Sequence, residues 1–300
     1  MISKTPTSSG ACRSFEAHPN ARTALHSYLL DCQLGPEDAI LIPSYVGWSP
    51  REGSGVFDPI RQLALPYRFY RVDRSLAIDL DWLRREMERA AAGVLLLIHY
   101  FGHVDTSYGE AVSLARLYGI RVVEDEAHAM LSDLIGGICG RLGDVSLFSL
   151  HKLLPLASGG TLVRNGTALL ADGSAIWQHD LAQIARLRRR NASFLYECLG
   201  GLREDVVPLW SALAQGEVPQ SFPVRLRHAD RDAVYHDLNS AGFGVVTLYH
   251  TLIDELESAF PESVQLSRTI LNLPIHQNVT IPDLQEMAEY LKGALVRHRL

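Results

Sequence analysis

Asp125, Ser149, Lys152 and the pair Gly159-Gly160 stand out because each follows or opens a short apolar run. Arg121–Glu124 runs into Asp125 and then Glu126-Ala127-His128, and Val145–Phe148 runs into Ser149-Leu150-His151-Lys152. Taken singly, each has an ordinary structural use: the Asp as a cap or turn residue, the Lys as a solvated cation, the glycines as a turn. Together they match what an aldehyde cofactor with a pyridine ring and a phosphate demands. Lysine supplies an amine that forms an imine and moves a proton. A carboxylate beside the pyridine nitrogen keeps it protonated by Coulomb attraction, so the ring can take up electrons. Hydroxyls and backbone N–H groups at a helix N-terminus hold the phosphate.

Such positions need a scaffold that brings strand ends together, and the hydrophobic pattern predicts one. Residues 21–33 read as an amphipathic helix, 39–42 as a buried strand ended by Pro43, and 68–72 as a second strand. Residues 79–92 read as a helix, 94–98 as a buried strand, and 110–118 as a helix closed by Gly119. Strands follow at 121–124, 145–149 and 161–163, then a long helix at 180–199. Apolar strands joined through helices predict an α/β fold, a mostly parallel sheet covered on both faces with its ligand site at the carboxyl ends of the strands. After Pro208 the pattern changes to strand 222–226, helix 230–240, strand 243–248 and helix 282–296. The division expected is a large domain over residues 1–205 and a small α+β domain over 206–300.

Composition excludes several classes. The net charge of −6 comes with scattered signs, and Arg186–Arg190 lies within a helical pattern, so no nucleic-acid footprint is present. The longest apolar run, Gly93–Ile98, is too short to cross a bilayer. Cys12, Cys32, Cys139 and Cys198 form no closely spaced pair, and Met1–Pro6 lacks the apolar core of a signal peptide. Free thiols and a cytoplasmic location are therefore expected. The histidines lack metal-ligand spacing, and no glycine fingerprint for a dinucleotide follows the first strand.

The segments Val122–Ala129, Gly143–Lys152 and Ser158–Gly160 are similar to the signature motifs of the DegT/StrS family of pyridoxal phosphate (PLP)-dependent sugar aminotransferases, of fold type I. Ala39–Tyr45, Ile98–His103, Leu248–His250 and Leu273–His276 extend the likeness to about residues 20–300. The resemblance implies that Lys152 carries the cofactor and shuttles the proton, and that Asp125 binds the pyridinium nitrogen. It places His128 near the ring's phenolic oxygen and Ser149 at the phosphate. Asn20–Leu25 aligns with the family's phosphate loop, with Ala21 and Arg22 where Gly and Thr are usual. A homodimer is implied as well.

The sequence departs from the pattern in places. Ser149 and Lys152 are two residues closer than in the family, and the stretch from Val163 to the helix at 180 lacks a loop that usually crosses to the other subunit. Gly47 aligns with the aromatic that stacks on the cofactor ring, which leaves Trp48 or Tyr45 to cover it; Tyr249 is a candidate for the substrate mouth. The reading expected is an aminotransferase moving an amino group from a donor such as glutamate to a keto group, for example that of a nucleotide-linked sugar or a secondary-metabolite precursor. A PLP enzyme of another outcome (dehydratase, lyase or racemase) and a catalytically degenerate paralogue acting as a partner protein are the alternatives.

Overall fold

The computed structural model describes residues 13–89, 91–166 and 174–300. Cys12, Met1–Pro6 and part of the shortened stretch after Val163 lie outside them; Cys32, Cys139 and Cys198 are free thiols. Along the chain the elements are β1 (Arg13–His18), α1 (Ala21–Asp31), β2 (Ala39–Pro43), α2 (Phe57–Gln62), β3 (Tyr67–Tyr70), α3 (Leu80–Arg89), β4 (Ala92–Ile98) and α4 (Tyr108–Leu117). There follow β5 (Arg121–Asp125), α5 (Met130–Leu134), β6 (Val145–Ser149), β7 (Gly160–Asn165), α6 (Ser174–Trp177) and α7 (Leu181–Cys198). The last part holds β8 (Val206–Pro208), β9 (Phe222–Leu226), α8 (Arg231–Ser240), α9 (Asp254–Ala259), α10 (Pro261–Thr269), β10 (Ile270–Leu273) and α11 (Ile281–Arg297).

Seven strands form one sheet in the order β1-β7-β6-β5-β4-β2-β3. Neighbours from β3 to β6 run parallel, whereas β7 pairs antiparallel with both β6 and β1. All five residues of β2 and of β6 are buried, as expected of strands covered on both faces. The second sheet, β10-β9-β8, is antiparallel. Its core includes Phe222, Val224 and Leu226 from β9 with Leu284, Met287 and Leu291 from α11. Leu256 of α9, Leu266 of α10 and Phe260 at the junction between them pack instead with the core of the large sheet.

The register places the chemistry. Ile98 lies opposite Asp125, Asp125 opposite Leu147, and Ser149 opposite Gly160. Three strand ends therefore meet at one edge. Gly160 also lies opposite His18 of β1, after which the chain turns into α1. Asn20 caps that helix: its side-chain oxygen accepts from the Thr23 amide at 2.9 Å, and the Thr23 hydroxyl accepts from the Asn20 amide at 3.3 Å. The approach is tight, since a Cβ on Gly160 would stand 2.1 Å from the Asn20 carbonyl carbon.

One expected strand does not form. Over 243–248 only Val246 bridges to Asn272. Gly242 and Gly244 take φ of 91° and 63°, which bends the chain away from an extended path. Strand β1, on the edge of the sheet, and the helices α9 and α10 carry too weak a period to be read in advance. Among the described residues no helix is long and apolar enough to cross a membrane.

Gly160→Ala should force α1 off the sheet and cost about 1–3 kcal/mol. Urea unfolding monitored by circular dichroism checks this; an unchanged midpoint would show that the close approach carries no energetic weight.

Candidate active site

A cleft of about 510 Å³ opens at the carboxyl ends of β5 and β6, between the start of α1 and the segment 247–251. Lys152, Asp125, His128, Ser149, Ala21, Arg22, Trp48 and Tyr249 all line it, whereas Gly159, Gly160 and Tyr45 are not among its lining residues. Its size falls in the usual range for small-molecule sites.

The lysine and the histidine are fixed to one another. His128 follows β5 and stacks on Phe101, with ring centroids 5.5 Å apart and planes 20° from parallel. The Phe101 amide donates to His128 Nδ1 at 3.3 Å. Nδ1 is therefore the acceptor, and the neutral ring carries its proton on Nε2. Nε2 lies 3.1 Å from Lys152 Nζ. If Nε2–H donates in that contact, Nζ accepts with its lone pair, which is the neutral form of Lys152. Burial lowers the proton affinity of both groups, His128 well below its usual value, and a charge on Lys152 would repel a protonated ring further.

Asp125 is buried at the end of β5, and its Oδ1 accepts from the Ala127 amide at 2.9 Å. Burial raises its pKa, while Ala127, Lys152 and His99 pull it back. Asp125 and Glu52 in turn hold the Lys152 pKa above what burial alone would give. A cationic ring nitrogen in the cleft would favour the charged carboxylate further.

At the other end lies an anion cradle. The first turn of α1 leaves the amides of Ala21 and Arg22 without intrahelical acceptors, beside Ser149 across the cleft. The Arg22 guanidinium does not point freely at this cradle. It pairs with Asp58 at 3.3 Å and donates to the Glu52 carbonyl, bracing the loop 49–58. The amides and the Ser149 hydroxyl are thus the donors best placed for a phosphate.

Sequence reasoning missed two groups, Phe101 and Glu124. Phe101 sits at φ 56°, a backbone state that no residue pattern announces. Glu124 is buried beside Asp125 and bonds His99, Tyr108 and the amides of Gly140, Leu142 and Gly143; its only signal was its place in the acidic pair Glu124-Asp125. A Cβ on Gly47 would lie 2.1 Å from Tyr249 Cδ1, so the Tyr249 ring fills the volume that a side chain at 47 would take. Backbone bonds from Trp48 to Thr251 and from Ile253 to Val46 hold the two segments together, while Trp48 itself is exposed at the rim.

An amine, a carboxylate, an amide cradle and an aromatic wall in one cleft fit a pyridine aldehyde phosphate. A sequence profile of the DegT/DnrJ/EryC1/StrS aminotransferase family matches residues 17–172, more than half of the chain. The chain belongs to this family. It is 31% identical over 160 residues to dTDP-4-dehydro-2,3,6-trideoxy-D-glucose 4-aminotransferase of Saccharopolyspora spinosa, covering 51% of this chain but only 38% of that enzyme's length. It is 24% identical over 326 residues to GDP-perosamine synthase of Caulobacter vibrioides, covering 92% and 84% of the two chains. A Streptococcus pneumoniae protein solved in its PLP form shares the fold at a TM-score of 0.74 and 15% identity, over 94% of this chain and 87% of that one.

The neutral His128 has a measurable signature. Its folded-state proton affinity is depressed, so below pH 6.5, the ordinary imidazole value, the unfolded chain gains a proton that the folded one does not. The associated stability is present above that pH and lost as pH falls. Replacing His128 with Gln should remove up to about 1.4 kcal/mol per pH unit of slope between pH ~6.5 and ~5.5. Equal slopes in both proteins, from chemical denaturation at each pH, would contradict the neutral ring.

Proposed function

We propose that this chain is a PLP-dependent aminotransferase that takes an amino group from an amino acid such as glutamate and passes it to a keto group, with a nucleotide-linked sugar as the acceptor class. The observation that carries this reading is the amine of Lys152, 3.1 Å from His128 Nε2, in the same cleft as the buried Asp125.

When bound, the cofactor supplies an aldehyde carbon and an electron-poor ring. Lys152 would be the amine that holds the cofactor's aldehyde carbon, and its burial lowers the cost of presenting a free lone pair there. With the cofactor bound, Lys152 Nζ would be the group in the cleft able to take and return the proton of a donor's α-carbon. Asp125 keeps the ring nitrogen protonated by charge. Ala21, Arg22 and Ser149 hold the phosphate, the first two through backbone amides. Tyr249 walls the cleft beside Asp125, and its own proton is held more tightly through burial and that carboxylate.

The reading extends to organisation. Residues 1–205 form the cofactor-carrying unit and 206–300 the smaller one that delivers Tyr249; the protein works as a cytoplasmic homodimer. The relatives named for sugar substrates support the acceptor class.

The test is an absorbance titration of the purified protein with PLP. A new long-wavelength band, lost in Lys152→Ala and discharged by glutamate with release of PMP, is the expected result. A band that persists in Lys152→Ala would remove Lys152 from its role, and turnover without PMP would replace transfer by elimination or racemisation. In the same titration Tyr249→Leu should weaken PLP about tenfold, the loss of roughly 1.4 kcal/mol of aromatic contact. Trp48→Leu should change it far less; the reverse order would make Trp48 the ring cover.

A further inference from the structure

Far along the chain from Lys152, three arginines face one hollow. In β9 the alternation Phe222-Pro223-Val224-Arg225-Leu226 sends Phe222, Val224 and Leu226 into the core and Arg225 to the other face, opposite Val207 on one neighbour and Ile270 on the other. Arg227, two residues on, lies on the same side. Arg74 joins them from the turn after β3. Together with Gln265 and Thr269 they line a cavity of about 250 Å³ that contains no carboxylate.

These guanidiniums have no partner. Among the described residues none of the three donates to a protein acceptor or forms an ion pair, and Arg225 Nε is buried without one. Asp73 attracts Arg225 by charge without bonding it, and one of its oxygens is committed to its own turn, accepting from the Ser75 amide and hydroxyl at 2.7 Å each and from the Ala77 amide at 3.0 Å. Burial lowers the Arg225 pKa, and Arg227 and Arg74 lower it further by repulsion. Unpaired, clustered and partly buried cations are costly unless an anion completes them.

A second hollow of about 340 Å³ adjoins the first and shares Arg227. Tyr196, Leu199, Val207 and Trp210 line it. Trp210 is held in place: its indole N–H donates to the Ser75 carbonyl at 3.0 Å, and its ring stacks on His103 with centroids 4.0 Å apart. The same turn thus fixes both Arg74 and the aromatic wall. Neither hollow shares a lining residue with the Lys152 cleft.

We propose that Arg74, Arg225 and Arg227 bind the phosphates of a small phosphorylated ligand whose planar, apolar part enters the Trp210 hollow. Guanidinium forks match phosphate oxygens in pairs, and three of them suit a diphosphate better than a single carboxylate. The concave shape favours a small molecule over a flat protein surface. The proposal is independent of the aminotransferase reading.

Calorimetry on the full chain saturated with PLP, so that the Lys152 cradle is occupied, tests it with inorganic pyrophosphate and ADP as probes at low salt. ADP should bind more tightly than pyrophosphate, and Arg225→Gln should weaken both by about tenfold or more. Arg74→Gln and Arg227→Gln, at exposed positions, should do the same while leaving the melting temperature unchanged, which guards against a misfolded Arg225 variant. Absence of binding by either probe, or affinities unaltered in all three variants, would overturn the site. Pyrophosphate binding without any gain from ADP would overturn the role of the Trp210 hollow. Capture of an acidic peptide with neither probe bound would assign the patch to a protein partner instead.

Discussion

The geometry of the cleft depends on one buried carboxylate, Glu124. It accepts from His99 at 2.9 Å, from the Tyr108 hydroxyl at 2.8 Å, and from the amides of Gly140, Leu142 and Gly143 at 2.6, 3.2 and 2.6 Å. Those partners belong to the end of β4, to α4 and to the loop that feeds β6. Burial by itself would neutralise the group, but His99 and the amides outweigh it and its pKa is lowered. An ionised, multiply bonded carboxylate in the interior is rigid, because moving any partner leaves a charge unpaired. Asp125 is the next residue, and β6 begins just beyond the loop. The relative placement of Asp125, Ser149 and Lys152 is thus set one residue back from the chemistry.

Around that anchor the site uses burial in two opposite ways. At Glu124 the protein surrounds a charge with donors and keeps it. At Lys152 and His128 burial outweighs the charges nearby and shifts both groups toward their neutral forms, with the Phe101 amide pointing at His128 Nδ1. Both effects come from the same low-dielectric interior. What differs is the supply of hydrogen-bond donors, and that supply is set by backbone geometry in the segments after β4 and before β6.

Much of this was legible in the sequence, and the reasons differ by element. The parallel strands announced themselves because β2, β4, β5 and β6 are buried on both faces and read as apolar runs. Asp125, Ser149 and Lys152 followed from the rule that ligands gather at strand ends. The expected strand over 243–248 failed because Gly242 and Gly244, on either side of Phe243, take a left-handed backbone that breaks the extension at its start. The engagement of Arg22 with Asp58 could not be read, since a long side chain at a helix start has several partners within reach and the fold alone chooses one. Phe101 was invisible for a related reason: its contribution is an amide, which every residue but proline owns.

Gly47 and Tyr249 carry an evolutionary consequence. The ring of one occupies the space the other would need for a side chain. An aromatic introduced at 47 alone would collide with Tyr249, and loss of the ring at 249 alone would leave a void that glycine cannot fill. A lineage can exchange one arrangement for the other only through an intermediate that is overfilled or empty. The two positions are therefore epistatic, and substitutions harmless in relatives with an aromatic at 47 would be misleading guides to what this chain tolerates.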